Sequence, residues 1–98
     1  MSTRNDTQRL LLFVVGEELN SRQAKANLQR IIDGHFSGSV DVDIVDVLKD
    51  FCSAIDNKVF VTPALVVTGN GAGATLYGDL ADEKIVVNAI RNSMTIDA

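Results

Sequence analysis

Residues that carry chemistry are scarce in this 98-residue sequence: there is one cysteine, one histidine, one proline and no tryptophan, and aromatic residues make up 5% of it. A lone Cys52 cannot close an internal disulfide. With His35 as its only potential soft partner, it cannot complete a zinc site either, so the chain reads as cytoplasmic, free of metal and without a cofactor. Long apolar runs are also missing. The longest near the N-terminus, Leu10 to Val15 ("LLLFVV"), is followed at once by Gly16-Glu17-Glu18. It is too short for a signal-peptide core or a membrane span and reads instead as a buried strand. Positive charge is in deficit, with 9 Lys and Arg against 13 Asp and Glu, a formal net charge of -4 and a pI near 4.7. That balance works against binding nucleic acid through its phosphates and against docking on an anionic membrane.

What remains is enough for one core. The chain is 46% hydrophobic and 22% charged, and with so few aromatics that core must be built from Val, Leu and Ile. A single domain over residues 1–98 is expected, with 1–8 and 95–98 frayed. "RLLLFVV" (9–15) lacks polar alternation and suits a central strand buried on both faces. "NSRQAKANLQRIIDGHF" (20–36) reads as a helix with Asn20 as its cap, Gln23 at capping-box spacing and a stripe of Ala24, Leu28, Ile31 and Ile32. Gly34 would stop it, Phe36 would fold back over its end, and His35 would lie at that end with no partner apparent. "GSVDVDIVDVL" alternates, placing Val40, Val42 and Ile44 on one side with Asp41 and Asp43 between them, as in a charged edge strand. A two-turn helix is expected from Asp50 to Asn57. Two strands follow, at 64–68 and 75–77, joined by the turn Gly69-Asn70-Gly71-Ala72-Gly73. "DLADEKIVVNAIRNSM" (79–94) closes the chain as a helix capped by Asp79, with Val86, Ala89 and Ile90 on its apolar stripe.

The order β-α-β-α-β-β-α joins a parallel βαβ half to a ββα half, the thioredoxin-like arrangement, with a mixed four-stranded sheet in the order 2-1-3-4. Pro63 then sits at the mouth of the third strand, where its missing N–H need not break the ladder. Thiol redox chemistry in such a fold needs a Cys-x-x-Cys at the start of the first helix, where the helix N-terminus lowers the thiolate pKa. Here that place reads "GEELNSRQ", and Cys52 lies on another segment, most simply as a small buried or half-buried residue. Asp41 and Asp43 read as a solvated edge rather than an acid–base pair. The glycines at 69, 71 and 73 lack the Lys-Ser/Thr and helix start of a phosphate loop. No enzyme is indicated.

"LLLFVVGEELNS", "IVDVLKD", "KVFVTPALVV" and "YGDLADEKIV" together resemble the corresponding blocks of the circadian clock protein KaiB and its relatives, from about Arg9 to Arg91. The D-V-L-K, T-P-x-L and G-D-L blocks stand in the family's order and close to its spacing. The resemblance implies a non-catalytic regulator that binds the hexameric kinase-ATPase KaiC and helps return it to the dephosphorylated state, in a clock or stress-signalling system. Leu48, Lys49 and Asp50, with Lys58, would face the ATPase ring. Pro63, Gly78 and Asp79 would have fold-switch or structural roles. Some family members are metamorphic, moving between a thioredoxin-like form and an oligomeric ground state with a rearranged C-terminal half, which makes a homodimer or homotetramer an expected assembly. A second implied role is that of the KaiB-like sensory modules that precede histidine kinases, although a chain ending near Ala98 favours a free-standing protein.

Two departures from the family pattern stand out. Asp43 occupies a strand position where the resemblance would supply a lysine that holds KaiA, which puts KaiA binding in doubt and points to a system without it. "TGNGAGAT" also replaces a proline-rich basic segment. The ground state would ask residues near 64–76 to be largely helical, and Gly69, Gly71 and Gly73 would each cost about 0.8–1 kcal/mol there relative to alanine, roughly 3 kcal/mol together. The same residues favour a hairpin, so the chain is expected to rest in the thioredoxin-like form.

Overall fold

A computed structural model describes residues 8–36, 38, 40–68 and 73–94. The apolar run becomes β1 (Gln8–Val14), followed by α1 (Leu19–His35), β2 (Val40–Asp46), α2 (Phe51–Asp56), β3 (Ala64–Val67), β4 (Ala74–Tyr77) and α3 (Glu83–Met94). The strands form one sheet in the order β2-β1-β3-β4. β1 runs parallel to β2 and antiparallel to β3, and β3 and β4 form an antiparallel hairpin. β1 is thus flanked on both sides, which is why its residues can be apolar on both faces. The element order and the sheet order agree with the sequence reading. Of the glycine turn, residues 69–72 lie outside the described residues.

The two faces of the sheet carry different cores. Leu10, Leu12 and Val14 of β1, with Leu65 and Val67 of β3, pack against the stripe Ala24, Leu28, Ile31 and Ile32 of α1 and against Val86, Val87 and Ile90 of α3. On the other face, among the described residues, Phe13, Ala64 and Val66 cluster with Ala54 of α2 and Val59, with Leu11, Val45 and Val47 partly buried beside them. Two long helices cover the first face and a six-residue helix covers part of the second.

Several element ends differ from the sequence reading. The cap of α1 is Glu18, and no side chain bonds the free amides there, so Asn20 lies inside the helix. The turn into α1 is instead held by the buried Ser21, whose Oγ accepts from the Val15 N–H at 3.0 Å. Gly34 does not stop α1, which runs on to His35, while Phe36 is buried over its end as expected. α3 starts at Glu83, three residues later than a cap at Asp79 would set it. Asp82 caps it by accepting from the Ile85 N–H at 3.4 Å, while Asp79 bonds the Ala81 N–H and closes a local turn. Along β2, burial fades from Val40 through the partly covered Val42 to an exposed Ile44, because an edge strand lies at the margin of the α1 core.

His35 does have a partner. Its Nε2 lies 2.7 Å from Glu83 Oε2, joining the end of α1 to the start of α3. The Arg91 guanidinium stands over the Phe36 ring at 5.9 Å. Asn27 Nδ2 of α1 also donates to the Asp79 carbonyl at 2.8 Å. On the open part of the second face, Arg9 pairs with Asp43 of the acidic edge strand.

Candidate functional site

One end of the sheet gathers most of the residues singled out from the sequence. The carboxyl ends of β1 and β2 lie there, with the start of β3 and the end of β4. The Thr62–Pro63 peptide bond is cis, and Pro63 is fully buried. Its carbonyl accepts from the Gly78 N–H at 3.0 Å. Gly78 has φ +101, a conformation that glycine adopts without a Cβ penalty. Pro63, Gly78 and Asp79 are therefore knitted into the framework, and Asp79 is engaged through both its carbonyl and its side chain.

The turn after β2 is held differently. One Asp46 carboxylate oxygen accepts from the Gly16 N–H at 3.2 Å and from the Leu48 N–H at 3.0 Å. The Asp46 carbonyl takes the Lys49 and Asp50 N–H groups, both at 2.9 Å, and the Val47 N–H reaches back to Val14 at 2.9 Å. The two amide bonds hold the Asp46 carboxyl below its ordinary value, with the Lys49 and Lys25 charges adding to the effect against partial desolvation. Asp50 then caps α2, accepting from the Ser53 N–H at 3.1 Å and from its hydroxyl at 2.8 Å. At the far end of α2, Val59 donates to Ala54 at 2.8 Å and Lys58 to Ile55 at 3.0 Å, with Lys58 at φ 58. This is a Schellman ending in which lysine takes the place usually given to glycine.

Between these two ends lies an apolar surface. Leu48, Phe51 and Phe60 are 72%, 66% and 76% exposed, and Ile55 and Val61 also face solvent. A groove of about 240 Å³ runs between α2 and the segment before Pro63, lined by Val47, Phe51, Ile55, Val59, Phe60 and Thr62. A cluster of exposed large apolar side chains flanked by charges is the usual mark of a surface that another protein covers. Leu48, Lys49, Asp50 and Lys58 all border this surface, and all are exposed. Leu48 and Lys49 are free to meet a partner, whereas the Asp50 carboxylate is committed to capping.

Sequence reasoning missed Phe51, Ile55, Phe60 and Val61. The one available signal was the helical spacing of Leu48, Phe51 and Ile55, which would ordinarily mark a core stripe. Cys52 is also exposed, contrary to expectation: a helix this short turns only Ala54 fully inward. Among the described residues, no group of three or more His, Cys, Asp or Glu side chains is placed to hold a metal ion. None of their helices is long and apolar enough to cross a membrane.

Compared with known proteins, residues 11–91 match the family model described as the KaiB domain. The chain belongs to the KaiB family. It is 33% identical over 88 residues to the KaiB circadian clock oscillator protein of Gloeothece citriformis, covering 89% of this chain and 83% of that one. The KaiB protein of Microcystis aeruginosa is also 33% identical over 88 residues, with 89% and 85% covered. Among solved structures, the N-terminal domain of Synechococcus elongatus SasA superposes with a TM-score of 0.73 at 19% identity, over 90% of this chain and 84% of that one. A Malassezia sympodialis thioredoxin gives the same TM-score at 21% identity, over 93% and 78%. Likenesses of this kind establish the α/β thioredoxin-like fold and nothing finer. The three blocks that carried the KaiB resemblance fall at the one end of the sheet described above. Asp46 to Lys49 form the turn after β2, Thr62 to Leu65 the entry to β3, and Gly78 to Leu80 the exit from β4.

Proposed function

We propose that this KaiB-family chain is a single-domain, non-catalytic cytoplasmic regulator that docks on a KaiC-like hexameric ATPase and modulates its phosphorylation state in a clock or stress-signalling system. The observation that carries the reading is the exposed apolar surface around α2, bordered by Leu48, Lys49 and Lys58. Phe51 and Phe60 are its natural anchors: both are large, and both are held at the margin of a groove they do not fill. Lys49 and Lys58 would steer the approach to an acidic surface. Asp50 contributes by capping α2, and Pro63, Gly78 and Asp79 by fixing the sheet end on which α2 rests. Absence of catalysis is supported by the loop after β1, where Val15 to Glu18 supply no thiol at the place where this fold places its redox pair. The acidic edge strand, with Asp43 already paired to Arg9, argues for a system that works without KaiA.

Size-exclusion chromatography of the chain with a purified KaiC-like hexamer and nucleotide tests the reading. Co-elution is expected, with loss of the complex in Lys58→Glu and Phe60→Ala variants that remain folded. Separate elution across nucleotide states, or a complex unaffected by both substitutions, would overturn it. Co-elution with a histidine kinase in place of the hexamer would move the same surface to a different partner.

A further inference from the structure

The groups that hold the docking turn in place are few: three of its amides bond backbone carbonyls, and that of Leu48 bonds the Asp46 side chain. Residues 47–50 have no strand or helix to fix them. They hang on the Asp46 carbonyl, on the Val14 carbonyl and on the Asp46 carboxylate. That carboxylate also holds the Gly16 amide, so a single side chain ties the loop after β1 to the turn after β2. Gly16 has φ 47, and a Cβ built there would lie 3.6 Å from Leu48 Cδ1, so the two segments meet closely where the carboxylate binds them. Leu48 itself, 72% exposed, has little core packing to set its direction. Its position is fixed through its backbone.

We infer that Asp46 is the positioning residue of the α2 docking surface: its carboxylate presents Leu48 and Lys49 to the partner by clamping the Leu48 and Gly16 amides together. The inference rests on the docking function proposed above, but its structural half stands on the two amide bonds alone. Charged groups around the clamp are Lys49 on the same turn and Lys25 on α1, the latter 3.7 Å from Glu17 of the β1–α1 loop. Both lysines favour the ionised acceptor. The carboxylate is strong in this role because a charged acceptor roughly doubles the strength of each amide bond, and because both amides converge on one oxygen.

The test uses the full chain with Asp46→Ala and Asp46→Asn. Asparagine keeps an acceptor oxygen without the charge, so it should rescue part of what alanine loses. Amide hydrogen exchange at Gly16 and Leu48 is expected to accelerate roughly tenfold in the alanine variant and less in the asparagine variant, while core amides of β1 and β3 hold their protection. Affinity for the KaiC-like hexamer should fall in the same order, with Asn between wild type and Ala. Unchanged exchange at Leu48 and Gly16 in Asp46→Ala would overturn the clamp. So would equal affinity of wild type and both variants. If global protection collapses in Asp46→Ala, the comparison of Asp46→Asn with wild type decides by the same two readouts. A wild-type chain that binds no hexamer removes the docking reading and this inference with it. Altered exchange in that case would leave Asp46 with a purely structural role.

Discussion

The two faces of this sheet are made from the same strands and the same kinds of side chain, yet they end in different states. The α1/α3 face buries Leu10, Leu12, Leu28, Ile31, Leu65 and Ile90 to 2% exposure or less. The α2 face leaves Phe51, Phe60, Leu48 and Val61 in solvent. Composition does not explain the contrast, because both faces receive large apolar residues. Coverage explains it: helices of 17 and 12 residues lie on one side and a helix of 6 on the other. Hydrophobic residues beyond the reach of a cover either destabilise by association or serve as a contact surface. Capping by Asp50 and a Schellman ending at Lys58 keep the short helix intact without much burial. A short helix held by hydrogen bonds at its ends can thus stay formed with only Ala54 fully buried.

The sharpest way to break this comparison is a pair of truncations. Leu28→Ala on the covered face is expected to cost about 2–5 kcal/mol of stability, the range for a buried leucine. Phe60→Ala on the open face should stay within about 0.5 kcal/mol in urea unfolding, since an exposed side chain has little packing to lose. Comparable losses for the two would mean that Phe60 is covered in the folded chain and that the faces do not differ as argued.

A smaller effect separates stability from docking at Lys58. Holding a non-glycine residue at φ 58 costs about 1–2 kcal/mol. Lys58→Gly should therefore raise the unfolding midpoint while weakening association with the hexamer. A midpoint that falls would show that the lysine stem packs on α2 and contributes more than its backbone costs.

The smallest effect expected is a pH dependence at Asp46. Its carboxyl is held below the ordinary value of 3.8 by the Leu48 and Gly16 amides. A depressed folded pKa means that the unfolded chain binds the proton first. The stabilisation is fully present above the ordinary value and is lost as pH falls through the folded one. The stability gap between wild type and Asp46→Ala should thus be constant near neutral pH and close in strong acid. A gap that persists unchanged to pH values well below 3.8 would show that the charge is not what holds the turn.

Much of the architecture was legible in the chain because it depends on local pattern. The unbroken apolar run of β1, the alternation in β2 and the stripe of α1 each follow from the period of the element that carries them. Helix ends were less legible. Asn20, Gly34 and Asp79 have the right chemistry for caps and stops, but Glu18, His35 and Asp82 mark the real ends. Where each helix begins was settled by which of several capable polar residues the local turn aims at the free amides: Ser21 bonds Val15 across the entry to α1, and Asp82 rather than Asp79 reaches the first turn of α3. His35 looked partnerless because Glu83 is 48 residues away.

By itself, the sequence determined the order of the elements, the central place of β1, the proline at the entry to β3 and the absence of a Cys-x-x-Cys pair, all of which rest on residue type and short-range spacing. Only the tertiary structure decided that the stripe of Leu48, Phe51 and Ile55 faces water. It alone decided too that Asp46 joins two loops and that Pro63 is bonded to Gly78. Periodicity reports that residues share a side; whether anything covers that side depends on elements that meet across the fold.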